Sequence, residues 1–199
     1  MTSTKTWTAV AEYLRGFEAY YPSISEWCLK VRDEVPSGRR SIFAFVSTDG
    51  FISGLAVTKN AERAKLCHIS VSDELRTDGL GASLMRAAVF EMLTLGARRI
   101  HVTTGEEVAL SYGEFFERFG FNRHSVCTGR YRRGIDELEW VALSEVIMSR
   151  LAGAGRGGHL DNTRQAHTLV RLAWEPVLGD FRWTAIPEGS YEACCAMAG

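Results

Sequence analysis

The stretch Arg76-Thr77-Asp78-Gly79-Leu80-Gly81-Ala82 sets two glycines on either side of one leucine, between a short apolar run, LCHISV, and a long amphipathic one. Such a junction can do chemistry without a catalytic side chain. Where a strand turns into a helix, the first backbone N–H groups of the helix have no intrahelical partner, and the helix dipole adds positive potential there. A phosphate or pyrophosphate fits that end. Gly79 and Gly81 let the backbone approach an anion where a Cβ would collide with it, and Arg76 adds a charge-assisted contact. Taken alone, such a pair at a helix start is more often a turn or packing feature. The spacing is not that of the P-loop, which needs Gly, four residues, then Gly-Lys-Ser/Thr. Nor is it the dinucleotide fingerprint, because no glycine stands three residues after Gly81.

Other elements must position this junction. Near the start, Val10, Tyr13, Leu14 and Phe17 fall on one helical face, and ISEWCLKVRDEV keeps helical period until Pro36. The pattern then switches to two apolar runs around Asp49-Gly50, a hairpin signal, and a third strand, AKLCHISVS. After the glycines, Leu80, Leu84, Ala88, Met92 and Leu95 form one helix stripe, with Gly96 at the left-handed cap position. RRIHVTT reads as a strand parallel to LCHISV. Val108, Tyr112, Phe115, Phe116 and Phe119 mark another helix face, and NRHSVCTGRY and DELEWVALS read as two strands around Arg133-Gly134. The expected fold is α/β (α+β): a mixed central sheet flanked by helices.

After residue 148 the composition changes. AGAGRGGH, within residues 149–160, reads as a small-residue linker, and residues 161–199 as an extension. DNTRQAHTLVRLAWEPVL is expected to form one helix, capped by Asp161 or Asn162 and ended by Pro176. Leu169, Val170, Leu172, Trp174, Phe181 and Trp183 are too apolar to face water. They should pack on the domain, cover a substrate mouth, or form a homodimer or partner contact.

From about residue 5 to 146 the chain resembles the GNAT superfamily of N-acyltransferases. The family's loop is Arg or Gln, two residues, Gly, one residue, then Gly or Ala, which RTDGLGA fits from Arg76 to Gly81. HISVSDELRTDGLGASLM resembles its strand-loop-helix, and EFFERFGF its later helix ending in Gly-Phe. The resemblance implies splayed parallel strands, with acetyl-CoA as co-substrate and no metal. Residues 76–82 would surround the pyrophosphate, while Ile69, Ser70 and Val71 would line the pantetheine and thioester, with Phe116 packing beside it. A primary amine would attack the thioester directly in a ternary complex, and the Val71 N–H would stabilise the oxyanion.

The sequence departs from the family at one position. The usual FYEKLGF is FFERFGF here, so Phe116 stands where a tyrosine commonly protonates the leaving thiolate. Tyr112, one turn earlier, can substitute, Ser111 more weakly, or no acid is needed, since a thiol of pKa about 8.5 leaves as thiolate. Glu106, or Glu107, could serve as base through water, against the plainer reading of solvated loop carboxylates. His68 and His101 read as buried, hydrogen-bonded structural residues. Lys65 stands where some relatives carry a glutamate base.

The chain has 199 residues, 46% of them hydrophobic, enough for one domain and a modest appendage. A net charge of -1 advertises neither nucleic acid nor membrane, and no apolar run approaches the ~18 residues of a membrane span. The N-terminus lacks a continuous apolar core for a signal peptide. Cys28, Cys67, Cys127, Cys194 and Cys195, five at irregular spacings, suit reduced thiols in the cytoplasm. Arg123, Arg130, Arg132 and Arg133 cluster on one hairpin, either a solvated edge or a grip for an acidic ligand or RNA. The expected function is N-acetyl transfer to a small molecule, a protein or, toxin-like, an aminoacyl-tRNA. The alternative is a catalytically weak or inactive domain that binds acyl-CoA as a sensor or partner module.

Overall fold

In a computed structural model, residues 4–129, 134–154 and 167–186 are described. Two helices open the chain, α1 (Thr4–Arg15) and α2 (Ile24–Glu34). The meander follows as β1 (Arg40–Ser47), β2 (Ile52–Lys59) and β3 (Arg63–Val71). A short 3-10 helix (Asp73–Asp78) leads into α3 (Leu80–Thr94), then β4 (Arg99–Gly105) and α4 (Glu106–Arg118). The series ends with β5 (Asn122–Thr128), β6 (Asp136–Leu143), α5 (Ser144–Ala154), β7 (His167–Glu175) and β8 (Asp180–Ala185).

The strands form one sheet in the order β5-β6-β4-β3-β2-β1-β7-β8. Only β3 and β4 run parallel; the other neighbouring pairs are antiparallel. This is the mixed α/β architecture expected. Helices cover both faces, so β1 and β2 lie mid-sheet and read as nearly unbroken apolar runs. One core lies under α3 and α4 and includes Phe43, Ala56, Leu66, Leu84, Met92, Ile100 and Trp140. The other lies under α1 and α2 and includes Val10, Leu14, Ile42, Leu55 and Val57.

Two helix stripes differ from expectation at their edges. On α3, Leu80, Leu84, Ala88 and Met92 are buried, but Leu95 lies past the last turn and is 54% exposed. On α4 the buried line is Ala109, Gly113 and Phe116, with Phe119 just beyond; Val108 and Tyr112 stand on its exposed flank. The small residues let α4 sit close to Trp140, which an aromatic stripe would have held away.

The larger correction concerns the C-terminal part. Residues 167–175 form a strand where one helix was expected over 161–176. In His167–Glu175 the apolar residues Val170, Leu172 and Trp174 alternate onto one core, as a strand requires, and Pro176 to Gly179 turn the chain back rather than end a helix. β7 pairs with β1 from Phe43↔Arg171 to Ser47↔His167, and buries Val170 and Leu172 in the second core with Phe181 of β8. Arg171 makes an ion pair with Glu91 of α3, and Trp7 of α1 packs on Phe181. This apolar set therefore packs back on the domain. Helix α5 enters the stretch read as linker, and residues 155–166 lie outside the described residues, as do Arg130, Arg132, Arg133, Asp161, Asn162, Cys194 and Cys195.

Candidate functional site

The parallel pair is short. β3 and β4 are in register only from Arg63↔Arg99 to Leu66↔Val102, yet β3 runs on to Val71 and β4 to Gly105. Beyond that point β4 stays paired with β6, as far as Gly105↔Glu137, so the last residues of β3 lose their neighbour on that side.

The parting coincides with a bulge. On the other edge of β3, Thr58 pairs with Leu66 but Val57 pairs with His68, which leaves Cys67 as an extra residue. A bulge bends its strand and re-aims the side chains that follow. Past it, Ile69 and Val71 pack toward α3, while His68 and Ser70 turn to the α1 face. In an antiparallel ladder, backbone groups alternate between the two sides. The Ser72 N–H donates to the Ser53 carbonyl of β2 at 2.8 Å, so Ile69 and Val71 aim their N–H and C=O groups the other way, into the opening.

Just after Val71 the chain makes its 3-10 turn and enters α3. Gly79 has φ 74, the left-handed region that favours glycine. The first bond of α3 runs from the Ser83 N–H to the Gly79 carbonyl at 3.1 Å, leaving the N–H groups of Leu80, Gly81 and Ala82 without helical partners. Gly81 differs from Gly79. A Cβ built on it would lie 3.7 Å from Val71 Cγ2 and 3.8 Å from Phe115 Cε2, ordinary contact, so the protein's own packing does not require glycine there. The Arg76 guanidinium bridges Asp73 at 2.5 Å and the Tyr112 hydroxyl of α4 at 2.7 Å, and lies against the Tyr112 ring. The side chains of Thr77 and Asp78 lie outside the described part of the structure.

On the α1 face three polar groups meet. Ser70 Oγ lies 2.7 Å from His68 Nε2 and 3.0 Å from the Tyr13 hydroxyl, and the edge of Phe17 packs against the imidazole at 4.8 Å. Burial pushes His68 down to about 4, so its ring is neutral at physiological pH, and burial raises the Tyr13 phenol. Nothing in the local pattern of either segment links Tyr13 to Ser70. Only the packing of α1 on β3 brings them together. Further along the sheet, His101 Nδ1 lies 2.9 Å from Glu139 Oε1, and Ser125 donates to the other carboxylate oxygen. Those two hydrogen bonds hold Glu139 below the usual carboxylate range.

A model of the acetyltransferase (GNAT) family matches residues 7–121, more than half of the 199. The chain belongs to the acetyltransferase (GNAT) family. Solved GNAT structures share the fold. A GNAT-family protein from Desulfovibrio desulfuricans is 22% identical with a TM-score of 0.55, the match covering 69% of this chain and 91% of that one. An aminoglycoside 6'-N-acetyltransferase complexed with coenzyme A is 14% identical at TM-score 0.54, covering 69% and 90%. A spermidine N-acetyltransferase variant from Vibrio cholerae is 16% identical at 0.52, covering 65% and 80%. No curated protein matches the chain in sequence.

Set on this GNAT frame, the expected site residues separate. Ile69, Val71, Arg76, Gly79, Leu80, Gly81 and Ala82 are gathered at the mouth of the opening. Phe116 is not among them. It is 3% exposed, its ring enclosed by Phe115, Phe121 and Trp140, and Phe115 is the ring that reaches the glycine turn. Tyr112 is 42% exposed and tied to Arg76; Ser111 is exposed on the same helix. Glu106 and Glu107 are not loop residues but the first turn of α4, where carboxylates favour the helix dipole. His101 and His68 each have one ring nitrogen in a hydrogen bond. Arg123 lies over the Trp140 ring, so part of its charge serves packing. Among the described residues no group of three or more His, Cys, Asp or Glu side chains could hold a metal ion. No helix among them is long and apolar enough to cross a membrane.

Proposed function

We propose that the chain transfers the acetyl group of acetyl-CoA to a primary amine, by direct attack within a ternary complex. One observation carries this reading: β3 and β4 part after Leu66 and Val102, and the Ile69 and Val71 amides face that opening beside the start of α3. The residues present suit the ligand. The free amides of Leu80, Gly81 and Ala82, with Arg76, would hold the pyrophosphate, and Thr77 and Asp78 complete the turn. The space at Gly81 is what an anion seated on the backbone requires.

Acetyl-CoA supplies an activated acetyl group as a thioester. The backbone of Ile69 and Val71 would hold an extended ligand arm as a neighbouring strand would, with Ser70 between them. The Val71 N–H would meet negative charge building on a carbonyl oxygen. Tyr112 accepts its hydrogen bond from Arg76, so its own proton is free to be given to a leaving thiolate. Spermidine and an aminoglycoside, the acceptors that the neighbours' names suggest, are both polyamines and so the first amines to try. The test is calorimetry with coenzyme A, followed by thiol release from acetyl-CoA with spermidine or kanamycin. Binding and release support the reading; binding with no release from any amine identifies a non-catalytic acyl-CoA module. No binding at millimolar coenzyme A overturns both.

A further inference from the structure

The Ser70 hydroxyl joins helix α1 to the one stretch of β3 that has lost a neighbour. We propose that Ser70, His68 and Tyr13 form a proton relay that takes the proton of the acceptor amine, with Ser70 as the catalytic residue and His68 and Tyr13 acting through it. The relay rests on the acetyl-transfer reading above and assigns the base in it.

Three observations converge. The contacts are short, 2.7 Å to His68 Nε2 and 3.0 Å to the Tyr13 hydroxyl. One hydroxyl has one proton, so Ser70 donates to one neighbour and accepts from the other. In the relay Tyr13, whose phenol burial raises, donates to Ser70 and Ser70 donates to Nε2 of a neutral imidazole, which sets the imidazole hydrogen on Nδ1. Next, Ser70 stands between Ile69 and Val71, whose amides face the opening, and is half-buried, whereas His68 is 9% exposed. Of the two, the serine is the more open to solvent, and the relay gives it the contact with substrate. Finally, the surroundings leave the imidazole no other proton partner among the described residues. Ser70 of its own strand is the polar group bonded to it, Tyr13 of α1 reaches it through that serine, Phe17 packs against the ring, and Arg76 and Asp73 of the 3-10 turn act with opposite sign on Tyr13.

In the step, the amine nitrogen bonds to the carbonyl carbon and the C–S bond breaks with its electron pair passing to sulfur. The N–H proton goes to Ser70 Oγ as the Ser70 proton goes to His68 Nε2. Tyr112 gives its proton to the thiolate, and the imidazolium, made acidic by burial, passes its proton through Ser70 to solvent as solvent returns one to the Tyr112 phenolate. The balance is amine plus thioester to amide plus thiol.

The test compares wild type with Ser70→Ala, His68→Gln and the double variant, using spermidine and kanamycin as acceptors and calorimetry for acetyl-CoA. Each single variant should lower kcat by about 100-fold while the acetyl-CoA Kd stays within about twofold, and the double should be no slower than either. The pH dependence of kcat should lose its acid limb in His68→Gln. Unchanged kcat, or losses that multiply in the double variant, overturn the relay. Should wild type fail to bind acetyl-CoA, the acetyl-transfer reading falls instead. Nitrogen-15 NMR of the imidazole judges the relay without turnover: an unprotonated Nε2 whose shift moves in Ser70→Ala supports it, and a protonated Nε2 overturns it.

Discussion

Arg76 Nη1 donates to the Tyr112 hydroxyl at 2.7 Å, which ties the turn before α3 to the exposed flank of α4. The same guanidinium holds Asp73. One cation thus fixes the entry to the anion cradle and orients the phenol proposed as acid. Replacing Arg76 by Ala should weaken coenzyme A binding by about tenfold or more, the scale of a lost charge-assisted hydrogen bond, as read by calorimetry. Tyr112→Phe keeps the ring under Arg76 but removes the proton. Its kcat should fall about tenfold or more with affinity retained, and equal rates across pH would remove Tyr112 as acid.

The two glycines of the turn should respond differently to alanine. At Gly79 the left-handed φ of 74 opposes any side chain, so Gly79→Ala should cost about 1 kcal/mol or more in thermal unfolding. At Gly81 the added methyl finds ordinary contacts, and the position is helical. Gly81→Ala should gain up to about 1 kcal/mol in stability with coenzyme A affinity little changed, whereas the larger, β-branched Gly81→Val should lose affinity. A Gly81→Val variant that binds as tightly as wild type would refute the close backbone approach.

His68 makes a prediction about acid. Its folded value lies near 4 against an ordinary 6.5, so in that window the unfolded chain binds the extra proton. Stability therefore rises with pH there. It should fall by at most about 3 kcal/mol as pH drops from 6.5 to 4, then level as the folded form also protonates. Denaturant titrations of His68→Gln should lack that slope. Glu139, whose value is also lowered, acts with the same sign at lower pH, its stabilisation being lost as pH falls from the ordinary carboxylate value toward its folded one.

The last two strands should prove integral to stability. Leu172 is buried in the core beneath α1 and α2, so Leu172→Ala should cost about 2 to 5 kcal/mol. Chemical unfolding should still follow one transition. A separate early transition for β7 and β8 would mean that the pairing with β1 is not cooperative.

Period and punctuation carried much of the fold into view. The helical faces, the Asp49-Gly50 hairpin and the strand–glycine–helix unit are local patterns, each decided within a few residues. The apolar residues of 167–175 satisfy either period until a partner edge is known, and that edge belongs to β1, far back in the chain. Phe116 and Phe115 are adjacent aromatics on one helix; only the packing against Trp140 tells which one is enclosed. The contact of Tyr13 with Ser70 spans 57 positions and depends on the bulge. Strict alternation from Leu66 would have sent His68 and Ser70 into the layer of α3.

Cys67 is where rigidity and use compete. Without that one surplus residue β3 could run straight, and its last amides could zip onto Thr103 to Gly105 in place of any visiting molecule. A chain shortened at that position should melt later and bind coenzyme A not at all. The molecule keeps its workplace by declining hydrogen bonds it could have made with itself.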